Sequence, residues 1–413
     1  MPTADTLSGA NSAPNRSPGR DRGWADAALA AYLGAMPDIL VSQPIFHDFP
    51  GAIDIEVATS VWTWLARDVG ASPAARLGDA IMAGAEPKGA FEQLLPEFLE
   101  ALKANDVAEK ADFELTRRNT IQMGGQDARK SLPVIIMALR RQALLIQAAR
   151  FGTAVGNLGD EGALATALQT ITITNPVTRA LWMQAMVGHM SNPSRMLAAV
   201  VSLSGGQSEG HVVAAGYGPL VEAVLSRAQG QIGKLVSQPS VFSDVDFACK
   251  AIDRFHRLMR ALNYNLEIER RSRWGKIITD LTGRISERLE RPVREINGNI
   301  TQALRKPREG ADFIDHDDVL QGFNGLYLLM TVRNSRDSLA VNALLDKAWS
   351  DTGQTLEVLM SRALDAYRAD PGNAAARDRV DAGIKMAEIR FNAEYADILR
   401  RARDLASKRA VSS

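Results

Sequence analysis

Apolar residues recur at intervals of three and four positions from Trp24 onward, which is the pattern of helices that bury one face. The clearest stretches begin directly after residues that cap helices by accepting hydrogen bonds from free backbone amides. These predicted starting residues are Asp54, Ser131, Asn175, Asn192 and Asp244. A proline follows each asparagine, and it suits the first helical position because no intrahelical donor is lost there.

Short turns of Gly, Pro, Asn or Asp divide the chain into roughly fifteen such stretches. Aromatic residues make up only 6% of the sequence and runs of β-branched residues are scarce, so no strand is predicted. Pro292 is expected to end the helix that runs through Trp274, because the residue before a proline disfavours helical backbone. We predict an all-α fold, either a multi-helix bundle or an array.

Composition divides the chain into three segments. Residues 1–22 are rich in Ser, Pro, Gly and Arg with almost no large apolar side chain, so a disordered tail is expected. A chain of 413 residues is too long for one compact helical core. Residues 204–218 contain five glycines and are predicted to connect an N-terminal helical unit at 23–210 with a C-terminal helical unit at 217–408.

The two predicted units share short matching segments at a nearly constant spacing. The pentapeptide LVSQP occurs at residues 40–44 and again at 235–239, and IIMALR at 135–140 resembles LLMTVR at 328–333. Either the units arose by internal duplication, or amphipathic helices of similar composition resemble one another by coincidence. Under the duplication hypothesis, the two LVSQP segments occupy equivalent turns.

The charge balance and the cysteine count exclude several classes of function. The sequence contains 48 Lys and Arg and 48 Asp and Glu residues, and this zero net charge argues against a nucleic-acid ligand. The single cysteine excludes internal disulfides and Cys-based zinc clusters. No apolar stretch approaches the ~20 residues that span a bilayer, and no signal peptide is recognisable. A cytoplasmic protein without a cofactor is expected.

Acidic residues are densest just before a strongly apolar predicted helix. They are Asp312, Asp315, Asp317 and Asp318. Such carboxylates can bind Mg²⁺ and, through it, a phosphorylated substrate. Carboxylates at this position also cap a helix and favour its positive end. We interpret them as capping residues and keep the metal site as the alternative, and no catalytic or cofactor-binding residue is predicted.

Two further motifs lack a feature that their chemistry requires. Residues 124–131 (GGQDARKS) resemble a phosphate-binding loop, but Arg129 replaces its second Gly and no strand precedes it. An interhelix turn with a Ser131 cap is predicted instead. Cys249 and His256 are seven residues apart on one predicted helix, about 10 Å, which is beyond hydrogen-bond reach. Cys249 is therefore predicted to be a core residue.

A basic segment with eleven Lys or Arg residues runs from Arg270 to Arg308. It either forms a patch for an acidic partner, or its residues lie on solvated helix faces and pair with acids four positions away. The second interpretation is favoured, because Trp274 is the only aromatic residue within the segment.

No coherent catalytic constellation emerges from these motifs. We therefore interpret the chain as a non-catalytic α-helical scaffold, adaptor or regulatory protein that acts through protein–protein contacts. One alternative is an all-α Mg-dependent enzyme that uses the carboxylates near Asp315 on a phosphorylated substrate. Another is an exported bacterial effector with its secretion signal in the N-terminal tail.

Overall fold

The computed structural model describes residues 18–156, 158, 160–306 and 312–411. These residues form eighteen α-helices, which confirms the predicted all-α fold. The first nine are α1 (Pro18–Gly34), α2 (Ile55–Trp64), α3 (Ala71–Met82), α4 (Pro87–Ala111), α5 (Phe113–Gln122), α6 (Gln126–Arg140), α7 (Gln142–Gly156), α8 (Glu161–Gln169) and α9 (Pro176–Gly188). The others are α10 (Pro193–Ser204), α11 (Glu209–Ala214), α12 (Gly218–Val236), α13 (Val245–Asn265), α14 (Arg273–Leu304), α15 (His316–Asn334), α16 (Asn342–Ala369), α17 (Ala374–Arg390) and α18 (Ala393–Val411).

Two very short strands lie in the connection between α1 and α2. β1 (Leu40–Val41) and β2 (Ile53–Asp54) pair in parallel, with Leu40 opposite Ile53. The prediction that the chain contains no strand was therefore wrong at this point. The sequence signal is weak because each strand is only two residues long and is fixed by tertiary pairing rather than by its own pattern.

Four of the five predicted helix starts are confirmed. Each accepts a hydrogen bond from a backbone amide in the first turn of its helix, and they are Asp54, Asn175, Asn192 and Asp244. The prediction for Ser131 was wrong, because this residue lies inside α6 and the helix begins after Gly125. Gly124 and Gly125 have φ of 109° and 104°. Glycine adopts such angles readily, so the turn falls at the glycines.

The prediction that Pro292 ends α14 was wrong. The helix continues through Pro292 to Leu304. A proline inside a helix removes one backbone hydrogen bond and crowds the preceding turn. The apolar face is nevertheless buried on both sides of it, since Leu289 and Val293 are 0% and 1% exposed. Tertiary burial outweighs the local disruption here.

The predicted tail overlaps the first turn of helix α1, which begins at Pro18. The disorder of residues 1–22 stays a prediction. Proline favours the first helical position, which accounts for the earlier start. Residues 1–17, which carry the rest of this prediction, lie outside the described residues.

Aromatic side chains hold the first helices together. The rings of Tyr32 and Trp62 are stacked with centroids 4.9 Å apart, and Phe91 meets Trp62 edge-on at 5.9 Å. Phe98 packs against Phe91 at 5.8 Å. This cluster joins α1, α2 and α4. In the second half, the long helix α14 takes the central position and packs against α12, α15 and α16.

The buried apolar residues of both halves form one contiguous core. Helix α9 packs on α12. The first of these helices precedes the glycine-rich segment 204–218, and the second begins at its last residue. The segment itself contains helix α11 (Glu209–Ala214). The division into units at 23–210 and 217–408 stays a prediction, and the contact between α9 and α12 is where the two units would meet.

The connection between α1 and α2 is anchored to distant helices. The side-chain oxygen of Gln229, on α12, accepts hydrogen bonds from the backbone amides of Phe46 at 3.0 Å and His47 at 2.8 Å. Nε2 of His47 lies 2.9 Å from Oδ2 of Asp280 on α14. The connection is thus held against the second half of the chain.

The two halves share an order of helix contacts. In the first half, α1 contacts α2 and α4, and α6 contacts α2 and α9. In the second half, α12 contacts α13 and α14 in the same order, and α15 contacts α13 and α17. The LVSQP segments differ in secondary structure, however, because residues 40–44 contain β1, whereas Leu235 and Val236 end α12. The equivalence of these two segments was wrong, and the duplication stays a prediction.

None of the described helices is by itself long and apolar enough to cross a membrane. Helices α6 and α7 reach the required length and composition only as a pair, and that pair is bent by 79°. Its apolar residues Ile135, Leu139 and Ala148 are buried in the core.

Candidate functional site

Two pockets that share Arg227 and Arg254 lie along α12 and α13. The inner pocket has a volume of about 720 Å³ and is bounded by α9, α12, α13 and residues 38–43. The outer pocket has a volume of about 510 Å³ and lies between α12, α13 and the first residues of α10. We call the two pockets together the cationic cleft.

Helical spacing brings five cations to the cationic cleft. On α13, Arg254, Arg257 and Arg260 follow one another at intervals of three residues and all line the outer pocket. On α12, Arg227 and Lys234 are seven residues apart and line the inner pocket. Seven residues are close to two helical turns, so both side chains leave the same side of α12.

Arg227 is held in place by the end of a neighbouring helix. Its Nη1 donates to the backbone oxygens of Val187 at 2.9 Å and Met190 at 2.7 Å, at the carboxyl end of α9. The free carbonyl groups at a helix end carry partial negative charge and bind cations. Nε and Nη2 of Arg227 donate to no described group, so these donors are available to a ligand in the cleft.

Four of the five cations form no ion pair with a carboxylate of the described residues: Arg227, Lys234, Arg254 and Arg260. Arg257 pairs with Asp253, at 2.8 Å. Asp38 lines the inner pocket, but it pairs with Nε2 of His189 at 2.6 Å. Positive charge is therefore in excess throughout the cleft.

Burial and neighbouring positive charge lower the pKa of two of these cations, Arg227 and Lys234. Burial lowers the pKa of Arg227, and the nearby charge of Arg254 lowers it further. The pKa of Lys234 is lowered by burial and then by the charges of Arg254 and Arg227. The charge of Arg254 therefore makes Arg227 and Lys234 harder to protonate, and a bound anion would relieve this repulsion.

The four candidate metal-binding carboxylates do not converge in the structure. Oδ1 of Asp312 accepts from Arg379 at 2.8 Å, and Asp315 caps α15 by accepting from the amides of Asp317 and Asp318. Oδ1 of Asp318 accepts from Gln302 on α14 at 2.8 Å. Among the described residues, no three His, Cys, Asp or Glu side chains are placed to hold a metal ion.

The capping geometry predicts unequal effects of substitution in this acidic segment. Asp315→Ala should destabilise the protein by about 1 kcal/mol, because the first-turn amides of α15 lose their acceptor. Asp317→Ala, which removes only a favourable charge near the helix start, should cost about 0.5 kcal/mol. Urea denaturation of both variants measures the difference. A larger loss for Asp317→Ala would show that the capping assignment is wrong.

Cys249 and His256 have separate partners. The thiol is partly buried and hydrogen-bonded to Thr331, and burial raises its pKa, so it is a poor nucleophile near neutral pH. Nδ1 of His256 lies 2.9 Å from Oγ of Ser338. The two side chains thus do not form a reactive pair.

The segment GGQDARKS contributes to the core rather than to a phosphate loop. Nη1 of Arg129 lies 2.5 Å from Oε2 of Glu109, a carboxylate whose side chain is only 3% exposed. Asn105 and Asn119 also donate to Glu109, at 3.0 Å and 2.7 Å. Three donors therefore stabilise one buried charge, as such groups require.

Part of the basic segment 270–308 is paired within its own helix. Three arginines of α14 pair with acids four residues away: Arg284 with Asp280, Arg291 with Glu295 and Arg294 with Glu290. Arg288 donates to backbone oxygens at the end of α12. The predicted pairing with acids four positions away is confirmed for Arg284, Arg291 and Arg294 only.

The sequence analysis missed the cationic cleft, although a signal exists. Arg254 and Arg260 have no acid three or four positions away in either direction, whereas Arg257 has Asp253 four positions before it. On a helix surface these positions are the neighbours that supply a counter-charge. The sequence therefore indicates two arginines without a counter-charge on α13. The contributions of Arg227 and Lys234 to the cationic cleft depend on tertiary packing.

The geometry defines a cleft lined by an excess of cations on an all-α scaffold. Comparisons of the chain with protein-family models, with curated proteins and with solved structures gave no match. The function is therefore argued from the site itself.

Proposed function

We propose that this chain is a non-catalytic α-helical regulatory or adaptor protein that binds a phosphate-bearing ligand in the cationic cleft. The observation that carries the proposal is the group of four cations without carboxylate partners around the two pockets. Unpaired charges held close together destabilise the free protein, and such arrangements are concentrated at binding sites.

The composition of the cleft favours phosphate over a single carboxylate. Arginine donates in a planar fork that matches phosphate oxygens, and four of the five cations are arginines. The amino end of α10, at Pro193 and Ser194, also lines the outer pocket and adds partial positive charge. A ligand with several negative charges best balances this field.

The size of the cleft favours a small molecule. Volumes of about 720 Å³ and 510 Å³ fall within the range of small-ligand pockets, roughly 300–1,000 Å³. Tyr264 is the only aromatic residue of the outer pocket. A single aromatic ring is a poor platform for successive nucleic-acid bases.

The geometry lends no support to the Mg-dependent alternative. Asp312 is bound to Arg379, and Asp315 is bound to the amides of its own helix. The predicted protein–protein contacts have a separate supporting observation. Phe113 and Ile121 lie on the same side of α5 and are 78% and 69% exposed, as expected of an interaction surface. The exported-effector alternative rests on residues outside the described part of the chain.

The proposal predicts saturable binding of tripolyphosphate, measured by calorimetry. Affinity should fall steeply between low and physiological salt, because the interaction is mainly electrostatic. Arg260→Gln should weaken binding about tenfold, the loss expected for one charge-assisted hydrogen bond. Arg291→Gln is the matched control, since this arginine is 88% exposed on α14 and should leave binding unchanged. Absence of binding, or equal behaviour of the two variants, would refute the proposal.

The lowered pKa of Lys234 predicts a pH dependence. Below its pKa the ammonium group adds to the positive field, so tripolyphosphate affinity should fall about threefold as pH rises through that pKa. The fall should begin below 10.5, the ordinary value for lysine, because burial, Arg254 and Arg227 all lower the pKa. Lys234→Arg should keep its affinity over the same pH range. A steady wild-type affinity up to pH 10.5 would contradict this assignment.

A further inference from the structure

Lys234 supplies the only primary amine among the described residues that line the two pockets of the cationic cleft. The residue is exposed to solvent beside the inner pocket, so a ligand there can reach it. Asp38 is the only acidic residue of that lining, and it pairs with His189 at 2.6 Å. The amine of Lys234 is therefore not occupied by an ion pair within the described part of the chain.

The surroundings of Lys234 favour the neutral form of its amine. Partial burial of the side chain lowers its pKa, and the positive charges of Arg254 and Arg227 lower it further. The unprotonated fraction near neutral pH is therefore larger than for an ordinary lysine, and only this form has a lone pair that can attack carbon. Burial is the largest of the three causes, and it remains when a bound phosphate neutralises the arginines.

Two phosphate-binding side chains lie beside this amine. Arg227 leaves the same side of α12 seven residues earlier, which places the two Cα atoms about 10 Å apart. Arg254 lines the same pocket from α13. A ligand whose phosphate is bound by these arginines can present a group a few bonds away to Lys234. The exposed ring of Phe247 supplies an apolar wall for the carbon atoms in between.

We propose that Lys234 forms a reversible imine with a phosphorylated aldehyde whose phosphate is bound by Arg227 and Arg254. The lone pair of Nζ attacks the carbonyl carbon, and a C=N bond replaces the C=O bond. The carbonyl oxygen leaves as water with the two hydrogens of the neutral amine. Nothing is oxidised or reduced, so no further reactant is needed. The inference rests on the proposed phosphate-binding function and adds the reactive group of the ligand.

Borohydride trapping on the full-length protein tests this inference. Reduction converts an imine into a stable secondary amine, which mass spectrometry of the digested protein assigns to a lysine. Pyridoxal 5′-phosphate is compared with 5′-deoxypyridoxal, and glyceraldehyde 3-phosphate with glyceraldehyde. At least one phosphorylated aldehyde should label Lys234 about tenfold faster than its phosphate-free counterpart, because the arginines bind its phosphate. The pair that shows the difference distinguishes a pyridoxal ligand from a sugar aldehyde.

Lys250 is the reference within the same chain, because it is an exposed lysine of α13 that pairs with Asp246 and lines neither pocket. The phosphorylated aldehyde should label Lys234 about tenfold faster than Lys250, and excess tripolyphosphate should abolish this difference. Lys234→Arg keeps the positive charge but should eliminate the fast labelling. Lys250→Arg is the matched control and should leave the labelling of Lys234 unchanged.

The failure of this inference is distinguishable from the failure of the proposed function. If tripolyphosphate binds but Lys234 reacts no faster than Lys250, the inference is overturned and phosphate binding stands. The same holds if both phosphate-free aldehydes label Lys234 as fast as their phosphorylated counterparts. If tripolyphosphate does not bind, the proposed function itself fails.

Discussion

Arg254→Gln is expected to weaken tripolyphosphate binding by about 10- to 100-fold while it raises the melting temperature of the free protein. Arg254 lines both pockets, so its loss removes charge-assisted hydrogen bonds wherever the phosphates lie. In the free protein the same charge lowers the pKa of Arg227 and Lys234. Removal of this repulsion should stabilise the fold by about 0.5 kcal/mol, or about 1 °C.

The measurements are calorimetric titration and thermal unfolding at low ionic strength, where charge repulsion is least screened. The gain in stability should decrease as pH rises through the lowered pKa of Lys234, and the part that comes from Arg227 should remain, because arginine stays charged. Arg291→Gln again serves as the control for loss of one positive charge. A variant that loses both binding and stability would mean that Arg254 is a structural residue instead.

Arg379→Met is expected to destabilise the protein by about 3–5 kcal/mol, the usual loss when a buried ion pair is broken. The side chains of Arg379 and Asp312 are 4% and 13% exposed, and Nη2 of Arg379 also donates to the backbone oxygen of Phe313 at 3.0 Å. Without the guanidinium, the partners of Asp312 among the described residues are Lys306 at 3.8 Å and Asn373 at 3.5 Å. A carboxylate is then left in a poorly solvated site.

The double variant Arg379→Met/Asp312→Leu should recover part of this stability, because no unpaired charge remains. Acid titration gives an independent test. Burial raises the pKa of Asp312, but the hydrogen bond and charge of Arg379 outweigh burial and lower it overall. The stability from this pair should therefore be present above the ordinary pKa of 3.8 and be lost as pH falls through the lowered value. Equal stability of wild type and Arg379→Met in urea would exclude this role.

The starts of helices were predicted correctly where a capping side chain determines the first helical residue. Asp54 and Asp244 cap helices because a side-chain oxygen next to free amides acts over a few residues only. Pro292 was misjudged because the buried face of α14 is a tertiary property that overrides the local preference of proline. The start of α6 was misjudged because paired glycines set the turn.

The candidate site was much harder to predict. Arg227 was unremarkable in the sequence, since its role depends on the end of α9, which packs beside it only in the folded chain. The residues that line the inner pocket come from three helices and from two connections between helices. Their position beside the pocket can be recognised only in the folded protein.

The anchoring of the connection between α1 and α2 to Gln229 has a consequence during synthesis. Gln229 follows His47 by 182 residues, so at ribosomal rates it emerges roughly 10–40 s later. In that interval Gln229 cannot accept from the amides of Phe46 and His47. The inner pocket, whose wall includes residues 38–43, is therefore completed late on the ribosome. A ligand cannot assist the first helices as they emerge, and it can act only on a chain that has already been translated beyond α13.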